Sequence, residues 1–354
     1  MLGITVPEFR LPREVIEEEI DYIRSCGVEI VYNSPIDANH TVNDLLDEGF
    51  AAVFIAAGAQ ASMRGGIPGE DENPDGLFYG LKFLADIRMG NKERIKGTVI
   101  VVGGGNVAID VARSCLRMGA DKVLILYRRS IEEMPAWQKD IEEAVEEGVV
   151  IRPLWSPKRI LHKDGKVEGM EFVGSETVYD DSGKSVLVTK DENILTLEAE
   201  TVIISIGQAP DVSFLSKDSQ IERSLWGSLQ VNDNTLSTNI AGVFAGGDFT
   251  TGPSTVIQAI ASGRRAALSI DKYLQGEKSR IQIMDEKTAM HEETGLALED
   301  ESTEEKRRVE VELEDIENRI TDFREVEKGL SEQQVHFEAR RCLRCDLEKE
   351  KSEV

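Results

Sequence analysis

Residues 99–112 read VIVVGGGNVAIDVA. Four apolar residues, three glycines and a helix-period run mark the junction of a buried strand with a helix. The pattern G-x-G-x-x-A falls on Gly103, Gly105 and Ala108. Gly103 permits a tight turn, Gly105 lets backbone approach a pyrophosphate, and Ala108 lets the helix pack close to the sheet. The first turn of such a helix offers free N–H groups and the positive end of its dipole to phosphates. An ordinary strand-to-helix turn could show the same triplet. A second strand after this helix, ending in Tyr127, Arg128 and Arg129, argues for a dinucleotide-binding unit. In such a unit an acid at the end of the second strand holds the ribose of NAD. Two arginines stand there instead, which suits the 2′-phosphate of NADP, with NAD left open. The plain alternative is a surface arginine pair in an acidic protein.

Further out, the segment 96–129 continues into a helix, WQKDIEEAVEEG, ending at Gly148. Segments separated by KDGK and DDSGK then read as an antiparallel meander, and AETVIISIG as a closing strand ending at Gly207. On the other side, Pro12 and Gly27 bracket a helix with apolar residues at Val15, Ile16, Ile20 and Ile23. VEIVYN (28–33) and AAVFIAAG (51–58) read as strands, with a short helix near Val42–Leu46 between them. The turn-rich stretch 61–76 is a natural boundary. A last α/β stretch, GVFAGGDFTTGPSTVIQAIASGRRAA, runs from Gly242 to Ala267 as strand, turn and helix.

The 354 residues suffice for two or three domains, and 40% are apolar. The net charge of -25 argues against nucleic acid and anionic membranes as partners. The first twenty residues hold no apolar core of signal-peptide length, and no run approaches membrane-spanning length. Four cysteines are too few for a disulfide scaffold, so a reducing, cytoplasmic setting is expected.

The stretch after residue 280 is strongly acidic, and ALEDESTEEKRR reads as a solvated linker. Val309, Leu313, Ile316, Ile320 and Phe323 predict an amphipathic helix over about 309–326, and Ser331 with Gln334 a capping box for a last helix. That helix leads to Cys342 and Cys345 at C-x-x-C spacing. Three readings stand for the pair: iron–sulfur ligands completed by a partner chain, a redox disulfide, or an inert pair. The four histidines show no metal spacing, and no nucleophile–base motif stands out. Both absences fit hydride transfer, in which cofactors carry the chemistry.

GGGNVAIDVA with YRRSIEEMPA, VIISIGQAPD and the 242–267 stretch together resemble the small subunit of glutamate synthase. The flavin half of dihydropyrimidine dehydrogenase and related ferredoxin–NADP oxidoreductase subunits share the pattern. EFRLPREVI and AAVFIAAGA match the end of the first FAD-domain segment of that family, with Ala57 where the family usually has Thr. The resemblance spans most of residues 1–275. It implies an α/β fold of two Rossmann-like domains, an NAD(P) domain (76–208) inserted between FAD-type segments 1–75 and 209–275, followed by an acidic helical tail (276–354). It further implies NAD(P) contacts at Gly103, Gly104, Gly105, Asn106, Val107, Ala108, Arg128, Arg129, Gly207 and Gln208. FAD contacts are implied at Gly247, Asp248, Ser254, Thr255 and Val256, with the Thr255 and Val256 amides on the flavin pyrimidine edge. A helix N-terminus there would stabilise the charge gathered by a reduced flavin.

The glycine turn that opens the family's FAD domain has no counterpart before residue 58, and neither has its N-terminal cysteine-rich domain. The pyrophosphate-holding half is therefore expected from elsewhere. The function implied is an electron-input subunit moving hydride between NAD(P)H and FAD, and electrons onward to iron–sulfur centres in a partner. The rivals are a flavin-less scaffold subunit and a flavin-dependent disulfide reductase using Cys342 and Cys345.

Overall fold

In chain order the elements begin with α1 (Arg13–Ser25), α2 (Val42–Asp47), β1 (Val53–Ile55), β2 (Ala61–Ser62), β3 (Leu77–Tyr79) and α3 (Gly80–Arg88). Next come β4 (Thr98–Val102), α4 (Asn106–Arg117), β5 (Lys122–Tyr127), α5 (Gln138–Glu146), β6 (Val150–Pro153), β7 (Trp155–Lys163), β8 (Lys166–Tyr179) and β9 (Ser185–Glu198). The chain continues through β10 (Thr201–Ile204), β11 (Gln208–Ala209), β12 (Val243–Ala245), α6 (Asp248–Thr251), α7 (Val256–Gln275), α8 (Ile316–Arg319) and α9 (Glu332–Ala339). This computed structural model describes residues 1–91, 93–179, 185–215, 219–224, 227–276 and 307–340.

Five parallel strands in the order β3-β10-β4-β5-β6 form the central sheet. Residues 99–102, 123–126 and 202–204 are all buried. Such unbroken apolar runs belong to a parallel sheet covered on both faces. Helices α3, α4 and α5 cover one face, through Leu84, Ile109, Val111 and Ile141. The antiparallel sheet β7-β8-β9 covers the other, through Ile160, Met170 and Phe172. The predicted meander is that second sheet.

A smaller unit is built on β1 and β12, paired in parallel, with Val42, Ile55, Val243 and Phe249 at its core. The short antiparallel pair of β2 with β11 joins the two units. This unit leaves much apolar surface uncovered. Helix α1 keeps its predicted limits but buries no residue. Helix α7, 20 residues long, buries only Ser262 and Ala266, while Ile257 and Ile260 are 69% and 61% exposed.

The strand expected at 28–33 does not form, and Val28, Ile30, Val31 and Tyr32 are exposed. A strand exists only where a neighbour takes its backbone hydrogen bonds, and among the described residues none pairs with it.

The predicted helix over 309–326 is also corrected. Only α8, four residues long, is helical there. The flanking chain pairs with itself, Glu314 N donating to Val326 O (2.8 Å) and Lys328 N to Glu312 O (2.9 Å). Two buried anchors hold this strap: Val326, at 2% exposure, and Arg319, at 1%. The second is polar, so apolar spacing could not reveal it. Arg319 reaches Glu147 (3.3 Å) and Glu146 (2.9 Å) beside α5. Glu147 already pairs with Arg113 and Arg117 at 2.7 Å each, and both guanidiniums lie over the ring of buried Phe9. Phe323 of the strap packs on Phe9, and Val326 N donates to Phe9 O (3.0 Å). The Ser331–Gln334 capping box forms as read, starting α9. The acidic linker and the pair Cys342 and Cys345 lie outside the described residues.

Candidate functional site

Strand β4 runs into Gly103, whose φ is +148° and whose missing Cβ would stand 2.2 Å from Ser205 O, just past β10. Only glycine fits that crossing. Ala108 is fully buried behind it, as helix-to-sheet packing requires. Gly105 is the N-cap of α4 and carries no side chain to fill the first-turn amides of Asn106 and Val107. Those donors, on the helix axis, are what a pyrophosphate needs.

Gly104 proves constrained as well. A Cβ there would meet the Tyr127 ring at 2.5 Å. The loop after β5 folds back over the glycines: Ala136 N donates to Gly104 O (3.2 Å), and Trp137 N to Asn106 Oδ1 (3.0 Å). Part of the Asn106 side chain thus shapes the loop. The sequence marked this loop only through the motif YRRSIEEMPA; its contact with Gly104 needs the fold.

The two arginines differ. Arg128 is exposed and, among the described residues, has no hydrogen-bond or ion-pair partner for its side chain. Arg129 is half-buried and pairs with Glu133 Oε1 at 2.8 Å. Gly207 and Gln208 lie where β11 leads back to the smaller unit; Gln208 Oε1 is buried and, among the described residues, without a partner.

The second candidate site opens at the end of β12. A cavity of about 320 Å³ lies between Phe54, Ala57, Gly247, Asp248, Thr255 and Val256. Gly247, with φ +65°, turns the chain into α6, and its N–H donates to Ser262 Oγ (2.9 Å) on α7. Asp248 follows, with Oδ1 buried and, among the described residues, without a hydrogen-bond partner. Burial raises its carboxyl above the ordinary value, while the Ser254 amide opposes the shift. A buried acceptor aimed at a cavity is an unmet demand for a donor.

The Thr255 reading changes in one respect. Thr255 caps α7 through a box with Gln258, and its N–H is taken by Gln258 Oε1 (3.2 Å). The uncapped first-turn amides are those of Val256 and Ile257. Gln60 and Met1 line both this cavity and a neighbouring one of about 490 Å³ that reaches Tyr79 and Lys82 at the edge of the central sheet. The two openings together run from one unit to the other. The residues present suit a flavin at one end: a carboxylate with one oxygen left for sugar hydroxyls, and helix-end amides for an anionic edge.

Cys115 is fully buried in α4, and burial pushes its thiol far up, so it is core rather than redox-active. Cys26 is exposed. Among the described residues no group of histidine, cysteine and acidic side chains could hold a metal ion, and no helix is long and apolar enough to cross a membrane.

The family model described as pyridine nucleotide-disulphide oxidoreductase matches residues 14–263. The chain is 40% identical to the NADP(+)-dependent formate dehydrogenase subunit beta of Moorella thermoacetica, over 98% of this chain and 49% of that one. It is 33% identical to the NADPH-Fe(3+) oxidoreductase subunit beta of Geobacter sulfurreducens, over 98% and 55%. To the glutamate synthase [NADPH] small chain of Escherichia coli it is 32% identical, over 78% and 61%. The chain thus spans about half the length of the first two. Mycobacterium tuberculosis FprA in complex with NADPH shares the fold, with a TM-score of 0.63 at 18% identity over 77% of this chain and 74% of that one.

Proposed function

The chain belongs to the pyridine nucleotide-disulphide oxidoreductase family, and from that premise we propose that it is the electron-input part of a multi-subunit oxidoreductase, joining NADPH and FAD to iron–sulfur centres on a partner. When bound, FAD would supply hydride chemistry toward the nicotinamide and single-electron chemistry toward the partner. The chain's own residues bind and orient. The amides of Asn106 and Val107 hold the coenzyme pyrophosphate, and Arg128 and Arg129 its 2′-phosphate. Asp248 takes sugar hydroxyls of the flavin, and the start of α7 faces its electron-rich edge. NADP rather than NAD is supported by the two arginines and by the names of the three relatives.

The observation that carries the reading is the buried, unpartnered Oδ1 of Asp248. A carboxylate–hydroxyl bond contributes about 1.5–3 kcal/mol. Asp248→Ala should therefore weaken FAD by roughly ten- to hundredfold. Flavin content and FAD titration of the assembled complex measure it. Full flavin retention by the variant would overturn the reading.

In the same reading, residues 76–208 form the coenzyme domain between two flavin-domain segments, within a cytoplasmic complex. The exposed faces of α1 and α7 and the free edge of β1 receive the pyrophosphate-holding segment of the flavin domain, whichever polypeptide carries it. Cys342 and Cys345 take part in a cluster completed by the partner. The disulfide-reductase alternative would have to run through that same pair, since Cys115 is sealed in the core.

A further inference from the structure

The β8–β9 hairpin is longer than the sheet it serves. Strand β7 pairs with β8 only up to Gly174. Beyond a register shift at Val173/Gly174, the hairpin continues as a two-stranded arm from Ser175 to Tyr179 and from Ser185 to Lys190. This arm lies along the end of β5, where the coenzyme arginines stand. Ser175 Oγ donates to Arg128 O (2.7 Å). The Thr177 hydroxyl donates to the Glu133 carboxylate, 3.0 Å from Oε2 and 3.2 Å from Oε1. Ser130 N donates to Glu133 Oε2 (3.2 Å). Arg129 Nη1 donates to Glu133 Oε1 (2.8 Å) and lies 3.4 Å from Ser185 Oγ.

Glu133 is thus held by two donors that do not involve Arg129. An exposed i,i+4 ion pair left to itself is loosely populated and contributes little. Here the carboxylate is already fixed by the Thr177 hydroxyl and the Ser130 amide, so the guanidinium meets a stationary acceptor through one nitrogen. Its remaining N–H groups stay available for a phosphate, with less rotamer freedom to lose on binding.

Building on the NADP reading above, we propose that Glu133, tethered by Thr177 of the hairpin arm, is the positioning residue that sets Arg129 for the 2′-phosphate. Coenzyme choice then depends on an arm remote in sequence from the glycine loop.

The test is calorimetric binding of 2′,5′-ADP and of 5′-AMP to the full chain, which needs no flavin and no turnover. Wild type should prefer 2′,5′-ADP. Glu133→Ala should weaken 2′,5′-ADP by about tenfold and leave 5′-AMP within about twofold, since only the 2′-phosphate contact depends on the set of Arg129. Glu133→Gln retains an oxygen acceptor for Arg129 and should recover most of that loss. Thr177→Val, an arm variant that spares the fold of the central sheet, should weaken 2′,5′-ADP by about threefold. Equal weakening of both probes would overturn the inference by showing mere fold support. Tighter 2′,5′-ADP binding by both Glu133 variants would overturn it too, making Glu133 a repulsive charge. A wild type that does not distinguish the probes would instead sink the NADP reading itself.

Discussion

Burial raises the Asp110 carboxyl to about 6, even though Arg10 sits 2.8 Å away and pulls it down. The folded chain therefore holds this proton more tightly than the unfolded chain from about pH 4 to about pH 6. Stability falls as pH rises through that window and stays at the lower level above it. Asp110→Asn should remove the slope. Its melting temperature, taken relative to wild type, should shift in its favour from pH 4 to pH 7, and a constant offset would refute the account. Exposed and unpartnered among the described residues, Arg128 can meet a 2′-phosphate without first leaving another acid. Arg128→Ala should raise the KM for NADPH by roughly tenfold and leave that for NADH little changed. Gly103 and Ala108 were legible because the turn demands them. Gly104 was not fully so, since the Tyr127 ring that forbids its Cβ comes from another strand. Glu133 was quoted within a motif, yet its partner Thr177 lies 44 residues on.

Among the elements, α4 and α5 are tied by charge as well as by apolar packing. Glu147 is fully buried against Arg113 and Arg117, with Arg319 of the strap 3.3 Å away. Removing one member of a buried ionic group strands the others, at about 3–5 kcal/mol. Glu147→Ala should lose that much in urea unfolding, whereas Arg319→Ala should chiefly release the strap. Limited proteolysis within 309–327 of the Arg319 variant, with the larger unit intact, would show the second effect; resistance like that of wild type would contradict it. The parallel strands were readable because unbroken apolar runs bounded by glycine have few other uses. The strap was not. Its periodic apolar residues suggested a helix, while a buried arginine and a ladder to its own chain decided the conformation.

At the scale of the molecule, the larger unit has helices on one face of its sheet and a second sheet on the other, and the smaller one, among the described residues, has a two-stranded sheet with the nearly bare α7. The failed strand at 28–33 shows why the smaller unit was harder to read: strand propensity is local, but a strand needs a neighbour. The same asymmetry separates the two candidate sites, one closed by its own loop and one open beside α7. If the cysteine pair is a cluster ligand as proposed, replacing Cys342 and Cys345 with serine should lower iron in the assembled complex and slow electron delivery to the acceptor. Flavin reduction by NADPH, which lies upstream, should keep its stopped-flow rate; unchanged iron would reject the ligand assignment. The contact of Phe9 with Phe323 and Val326 has a consequence for synthesis. On the ribosome, Phe9 is made long before Phe323 and Val326 and lacks that cover until they follow. Contacts of such long sequence separation form late. Chains terminated before the strap would display an uncovered aromatic ring and the rim of a buried charge cluster, features by which proteases could sort unfinished molecules from finished ones.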